Sequence, residues 1–253
     1  MVEGVEVSFN SKTALVTGAN GGIGSEIAIE LAKNGINLVL CARSITKEWE
    51  EWSQQLAEKE KITVKLYQFD FTDQESVSSA AKSILGKHKV DFLVNCAGMP
   101  FGATVAMTRI DDLRLVLNVN FVNQVLFTQY FLKGMYSRRF GVIVNIASMS
   151  GLNSENGTLA YGASKAALLH FTKVLATESG KFGVRVNAVC PGAIQTKMLD
   201  SMDKVALEKL LSESALGRVG RPTEVAQTVA FLLSDSSSYL SGQAIQLNGG
   251  QKC

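Results

Sequence analysis

TALVTGANGGIGSEIAIELAKNG, residues 13–35, joins three pieces whose order decides the fold. TALVT is a short apolar run that reads as a strand. Glycines at 18, 21, 22 and 24 follow at once. IGSEIAIELAKNG then reads as a helix closed by Gly35. A glycine-rich turn lets backbone approach a pyrophosphate closely. The start of the helix behind it offers unpaired N–H groups and a partial positive charge. A strand before the turn and a helix after it are the setting in which such spacing signals a dinucleotide site; a bare turn is the alternative. Gly18, Asn20, Gly22, Ile23 and Gly24 are therefore candidate cofactor contacts.

The alternation continues outward. INLVLCA, ITVKLYQFD, VDFLVNCAG, FGVIVNIAS, GVRVNAVCPG and QAIQLNGG read as strands. Helix-length segments separate them: 46–60, 73–88, a long one near 109–137, 167–182, a short one near 203–212, and 222–235 with Pro222 at its start. Several strands are nearly continuous apolar runs, which indicates a parallel sheet buried on both faces. The expected fold is α/β: a single-domain Rossmann-type, doubly wound parallel sheet with helices on both faces, spanning 1–253. Residues 197–216 are expected to be a substrate lid.

Bulk properties exclude several classes. The 253 residues are 46% hydrophobic and 19% charged, enough apolar material for a large core. A formal charge of +2 with no basic tract gives no footing for nucleic acid. No apolar run is long enough for a membrane span, and MVEGVEVSFN lacks the features of a signal or transit peptide. Cys41, Cys96, Cys190 and Cys253 stand outside metal-ligand spacing and read as reduced thiols of a cytoplasmic protein. Two histidines supply a metal site or a Ser-His-Asp triad poorly, so no metal is expected.

The strand ends carry the remaining cofactor candidates. The second strand ends in Ala42, Arg43 and Ser44, with no carboxylate to repel a ribose 2′-phosphate, which points to NADP(H) rather than NAD(H). Asp70 and Phe71 end the third strand, where Asp70 could accept from an adenine amino group, while Asp73 caps the next helix. Asn95, Ala97 and Gly98 end the fourth strand at the same edge. In CPGAIQT, Pro191 and Gly192 turn the chain, and Ile194 and Thr196 could fix a nicotinamide carboxamide.

YGASK, residues 161–165, sets Tyr161 and Lys165 four apart, on one face if the stretch is helical. Alone, they could equally be a surface pair. TGANGGIG, NCAG, Asn120, Ser148, YGASK and PGAIQT appear in an order and spacing that resembles the short-chain dehydrogenase/reductase family over essentially the whole chain. The tail GRVGRPTEVAQTVAFLLSDSSSYLSGQAIQLNGG is most similar to the branch that reduces 3-oxoacyl groups on acyl carrier protein in fatty acid synthesis. The resemblance implies a catalytic tetrad of Asn120, Ser148, Tyr161 and Lys165, with Tyr161 and Lys165 also touching cofactor. Tyr161 would protonate a ketone oxygen as hydride arrives, and Ser148 would donate to the same oxygen. A free phenol has a pKa of about 10. Lys165 is expected to lower it; about three units requires roughly 4 kcal/mol. Gly162, Ala163 and Ser164 are expected to leave room for cofactor. Asn is disfavoured mid-helix. The family reason for Asn120 is a local distortion that frees a carbonyl for a water relay to Lys165; Asn118 and Asn123 are nearby alternatives.

Substrate contacts are expected from Met99, Met149, Asn153 and Met198, although methionine fills cores as readily as pockets. The resemblance implies that an acidic acyl carrier protein docks on Arg138 and Arg139; a charge pair favoured by the helix dipole is the other reading. Phe182 stands where that branch has a second base, with Lys181 one place earlier. A homotetramer is implied, paired through the long helices. The alternatives are a reductase or dehydrogenase of small or steroid-like carbonyl compounds, and a non-catalytic NADP-binding sensor.

Overall fold

The computed structural model describes residues 9, 11–196, 212 and 214–251. Seven strands form one parallel sheet in the order β3-β2-β1-β4-β5-β6-β7. They are β1 Thr13–Thr17, β2 Asn37–Ala42, β3 Val64–Gln68, β4 Phe92–Asn95, β5 Gly141–Ile146, β6 Val184–Pro191 and β7 Ala244–Leu247. β4 and β5 are buried at every residue, as continuous apolar runs covered on both faces should be. The strand order reverses between β1 and β4, and the crevice outside their carboxyl ends is where such sheets bind ligands.

Seven α-helices cover the sheet among the described residues. α1 Gly22–Lys33 and α7 Pro222–Leu233 pack against each other on one face, through Ile27, Leu31, Val225 and Val229. α3 Gln74–Leu85, α5 Asn123–Arg138 and α6 Leu159–Ser179 cover the other, where Phe127 stacks on Phe69 with ring centres 5.1 Å apart. α2 Lys47–Glu60 lies after β2, and α4 Ile110–Leu117 precedes α5. Expected caps are present: Gly35 takes φ +74° behind α1, and Asp73 accepts from Glu75 N at 2.9 Å.

The long helix read over 109–137 is not continuous. A π-helical turn, Asn118–Val122, separates α4 from α5, and Asn123 N reaches back to Asn118 O. This extra residue per turn rotates Asn120 inward, where it is fully buried. The serine-rich stretch after α7 holds a 3-10 turn, Asp235–Ser237. The expected helix at 203–212 and almost all of the 197–216 lid lie outside the described residues.

One buried hydroxyl holds the crevice together. Thr17 Oγ1, at the end of β1, accepts from Cys96 N at 3.0 Å and Ala97 N at 3.1 Å just past β4. Thr17→Val leaves both amides unpaired and is expected to cost about 2 kcal/mol in urea unfolding. An unchanged midpoint would show that the two strand ends hold without it.

Candidate active site

The glycines sit where side chains could not. Gly18 has φ +65°, and a Cβ there would lie 2.8 Å from Ala97 Cα. A Cβ on Gly24 would overlap the Gly18 carbonyl. The turn is thus pressed against the end of β4, with the first N–H groups of α1 facing the crevice. This is a cradle that fits a dinucleotide pyrophosphate.

The crevice is one trough with three connected lobes. The middle lobe, about 620 Å³, runs from the glycine turn past Cys96–Pro100 to Ser148, Tyr161, Lys165 and the segment 191–196. The second, about 510 Å³, shares Gly18, Asn20 and Ala97–Pro100 with it and adds Arg43, Ser44, Asp70 and Phe71. The third, about 500 Å³, shares Ser148 and Tyr161 with the middle lobe and opens between Phe101 and Met149. The expected cofactor residues Gly22, Ile23, Gly24, Pro191, Gly192, Ile194 and Thr196 all line the middle lobe.

Asn95 does not. It is fully buried, and its Nδ2 donates to Asn145 at 2.8 Å and Thr128 at 3.0 Å, so it braces β4 against β5 and α5 beneath the crevice. Past the end of β4, Cys96 and Ala97, held by Thr17 Oγ1, line the trough in its place. Met99 is also displaced from its expected role, because it lines the two nucleotide lobes rather than the third. Asn153 lines none of the three lobes, and its backbone N–H donates to the Met149 carbonyl at 2.8 Å. Met149 does border the third lobe, while 98% of its surface is packed away. Met198 lies outside the described residues.

Tyr161 and Lys165 occupy one face of the first turns of α6. Lys165 is buried, and its Nζ donates to the Ile146 carbonyl at 2.8 Å and stands 5.7 Å from the centre of the Tyr161 ring. Burial pulls the Lys165 ammonium down to about 8. The neighbouring thiols provide no lasting counter-charge, because burial pushes Cys96 up to about 12 and Cys190 to about 11. The expected lowering of Tyr161 is reversed. Burial raises the phenol above its ordinary value, and a hydrogen bond with Ser148 only partly opposes this. Desolvation of the partly buried phenol is the largest cause, and the Lys165 ammonium is itself buried and bonded to the Ile146 carbonyl. Tyr161 is therefore a protonated phenol at neutral pH, the form a proton donor needs.

The small residues of YGASK serve packing rather than cofactor clearance. A Cβ on Gly162 would lie 2.6 Å from the Ser150 carbonyl, and one on Gly151 would lie 2.8 Å from Lys165 C. The turn bearing Ser148 therefore lies directly on α6, while Ala163 faces solvent. Ser164 Oγ donates to Tyr161 O at 2.7 Å and accepts from Asn120 Nδ2 at 3.0 Å. Asn120 also exchanges hydrogen bonds with the backbone of Met99, at 2.8 and 3.0 Å. Its side chain thus ties the loop after β4 to the turn bearing Tyr161. Asn123 donates to Phe71 O instead, which leaves Asn120 as the asparagine at the site.

Thr17, Gln124, Glu155 and Thr158 were not singled out in the sequence. Gln124 Nε2 donates to Ala97 O at 2.7 Å beneath the nucleotide lobes. Glu155 and Thr158 line the third lobe, and their position between Ser148 and Tyr161 is the signal that could have found them. Arg138 and Arg139 stand at the opposite edge of the sheet of this chain. Arg138 donates to Val90 O at 2.6 Å, ahead of β4, and Arg139 to Lys181 O at 3.0 Å, ahead of β6. Both are occupied by backbone there and contribute nothing to the trough's rim.

Among the described residues, no group of acidic, histidine and cysteine side chains could hold a metal ion. No helix among them is long and apolar enough to cross a membrane. Cys41, Cys96 and Cys190 are free thiols; Cys253 lies outside the described residues.

The profile of a family described as Enoyl-(Acyl carrier protein) reductase matches residues 18–252. The 3-oxoacyl-(acyl-carrier-protein) reductase FabG of Thermotoga maritima is 37% identical, over 96% of this chain and 98% of that one. The acetoacetyl-CoA reductase of Shinella zoogloeoides is 35% identical over 95% and 98%. A solved structure described as a candidate NAD(P)-dependent gluconate 5-dehydrogenase from Beutenbergia cavernae, with NADP at low occupancy, superposes with a TM-score of 0.91. It is 31% identical and covers 96% of this chain and 98% of its own.

Proposed function

Because the chain belongs to the short-chain dehydrogenase/reductase family, whose members are oxidoreductases that use NAD(P), we propose that it is an NADPH-dependent reductase of 3-oxoacyl thioesters. The observation that carries this reading is that Tyr161 and Ser148 both stand at the junction between the middle and third lobes, with Lys165 Nζ 5.7 Å from the centre of the Tyr161 ring.

When bound, NADPH would supply hydride for the carbonyl carbon. The chain's own residues handle the oxygen. Ser148 Oγ–H and Tyr161 Oη–H both donate to it, and Tyr161 gives up its proton as negative charge develops there. Lys165 places a positive charge beside the resulting phenolate, where it is worth most because water is excluded. Asn120 holds Met99 and Ser164, and so fixes the width of the trough at this point.

The preference for NADPH rests on Arg43 and Ser44 beyond β2, in the same lobe as Asp70. Arg43→Ala is expected to lower kcat/KM for NADPH by on the order of tenfold to a hundredfold, the worth of one or two charged hydrogen bonds, with little effect on NADH. Equal losses with both cofactors would remove the 2′-phosphate from the account. The thioester reading is supported by the named activities of relatives at 35–37% identity. A screen of NADPH oxidation over acetoacetyl groups on carrier protein, on coenzyme A and as simple esters tests it. Turnover of steroid-like ketones alone would replace it. Exposed Val174 on α6 supports helix pairing in a tetramer, and the buried free thiols Cys41 and Cys190 support a cytoplasmic site of action.

A further inference from the structure

The segment after β6 borders two lobes of the trough at once: Gly192, Ile194 and Thr196 line both the middle and the third. It owes its place to a second piece of chain, residues 218–221. Gln195 N donates to Gly220 O and Gly220 N to Ala193 O, each at 2.9 Å, a single parallel bridge about Ile194. The bridge takes up Ala193 O and Gln195 N, so the N–H and C=O of Ile194 itself lie on the other edge of the segment. Gly220 allows the approach, because a Cβ there would lie 2.6 Å from Ile194 Cδ1. At its far end the segment comes against the glycine turn, where a Cβ on Gly22 would lie 3.0 Å from Thr196 Cγ2.

One carboxylate fixes 218–221 to the rest of the molecule. Glu224 stands in the first turn of α7 and accepts twice from Arg218, Nη2 to Oε1 at 2.7 Å and Nη1 to Oε2 at 3.0 Å. The same Oε2 accepts from Arg221 N at 2.7 Å, and Glu224 N donates back to Arg221 O at 3.0 Å. Arg218 Nη1 also donates to Val219 O at 3.1 Å. The bonds from Arg218 and Arg221 hold the Glu224 carboxyl down at about 2, so it is charged at neutral pH. A bidentate fork fixes direction as well as distance. α7 in turn packs on α1 through Val225, Val229, Ile27 and Leu31, and α1 begins in the glycine turn. Arg218 and Glu224 thus join the 193–196 segment to the helix whose start forms the pyrophosphate cradle.

We propose that Arg218 and Glu224 are positioning residues for the nicotinamide end of the dinucleotide: their fork fixes the 193–196 wall that this end meets. The inference rests on the NADPH reading and goes beyond it, because neither side chain lines any of the three lobes. The pair is partly exposed, so its worth to overall folding is small. Its effect falls on the piece of chain between its ends. Loss of the fork lets 218–221 shift, and Ile194 shifts with it. The nicotinamide end then binds less well. The adenosine end, expected at Arg43, Ser44 and Asp70 in the second lobe, is untouched.

The experiment measures affinity by calorimetry for NADPH and for adenosine 2′,5′-bisphosphate, which carries the adenosine end alone. The proteins are the wild type, Arg218→Ala, Glu224→Gln and the double variant. Glu224→Gln keeps an acceptor for Arg221 N, so the start of α7 is preserved. Each single substitution should weaken NADPH roughly fivefold, the upper end of what an exposed pair supplies. The double variant should weaken it no further, because the two side chains act as one pair. The bisphosphate should stay within about twofold throughout, with all four proteins melting alike. Equal weakening of both ligands assigns the pair to general stability and overturns the inference. So does NADPH affinity unchanged in the single variants, or losses that multiply in the double. A wild type that takes NADH and not NADPH overturns the NADPH reading alone, and NADH against AMP then makes the same comparison. A wild type that binds neither dinucleotide overturns both.

Discussion

Tyr161→Phe lowers the rate of ketone reduction on the order of a thousandfold and leaves NADPH affinity within about threefold. The hydroxyl is the acid this account places at the junction of the lobes, and a positioned general acid contributes roughly a hundredfold to ten-thousandfold. Loss of the oxygen also removes one of two donors to the developing charge. The ring remains, so the wall of the cofactor lobe keeps its shape. Because the loss is of a transition-state interaction, it should appear in kcat with KM nearly constant. Fluorescence titration with NADPH and initial rates on an acetoacetyl thioester measure the two quantities separately. A variant that keeps a tenth of its turnover would place the acid elsewhere.

Lys165→Met gives the second large effect, with opposite signs on activity and stability. Turnover falls on the order of a hundredfold, because the charge beside the forming phenolate is gone. Stability at pH 7 rises by about 2 kcal/mol. The folded chain holds Lys165 at about 8 against an ordinary 10.5. Between those values the unfolded chain keeps a proton that the folded chain has released. Burying the ammonium therefore handicaps the fold below pH 8, and the handicap fades as pH rises through the window. Its full size is about 3 kcal/mol. Methionine loses the bond to the Ile146 carbonyl, which takes back about 1 kcal/mol. Urea unfolding of both proteins at pH 7 and pH 10 measures this: the gap should narrow at the higher pH. A methionine variant less stable at both would mean that the lysine is held at no net cost.

The parts of the molecule legible in the sequence were those where one residue type has few alternatives. Gly18 and Gly24 can be nothing else in a turn pressed against β4. The unbroken apolar runs of β4 and β5 could only be buried on both faces. Tyr161 and Lys165 share a face because helical periodicity leaves no other arrangement once the segment is helical. What was hidden depended on direction and competition. Asn95 lies one residue from the trough, and its bonds to Asn145 and Thr128 hold it beneath the crevice. Burial and Lys165 pull the Tyr161 phenol in opposite directions, and only the packed geometry decides that burial prevails. Glu155 escaped notice because a lone acid in a loop carries no pattern.

A crystal structure of the chain with oxidised dinucleotide and an unreactive acetoacetyl analogue tests the central claim most directly. The account predicts the analogue's ketone oxygen within about 2.6–3.2 Å of both Tyr161 Oη and Ser148 Oγ, hydrogen-bond reach for an acid about to act. A ketone oxygen held instead by solvent or by a side chain of the 197–216 segment, with Tyr161 out of reach, would contradict it.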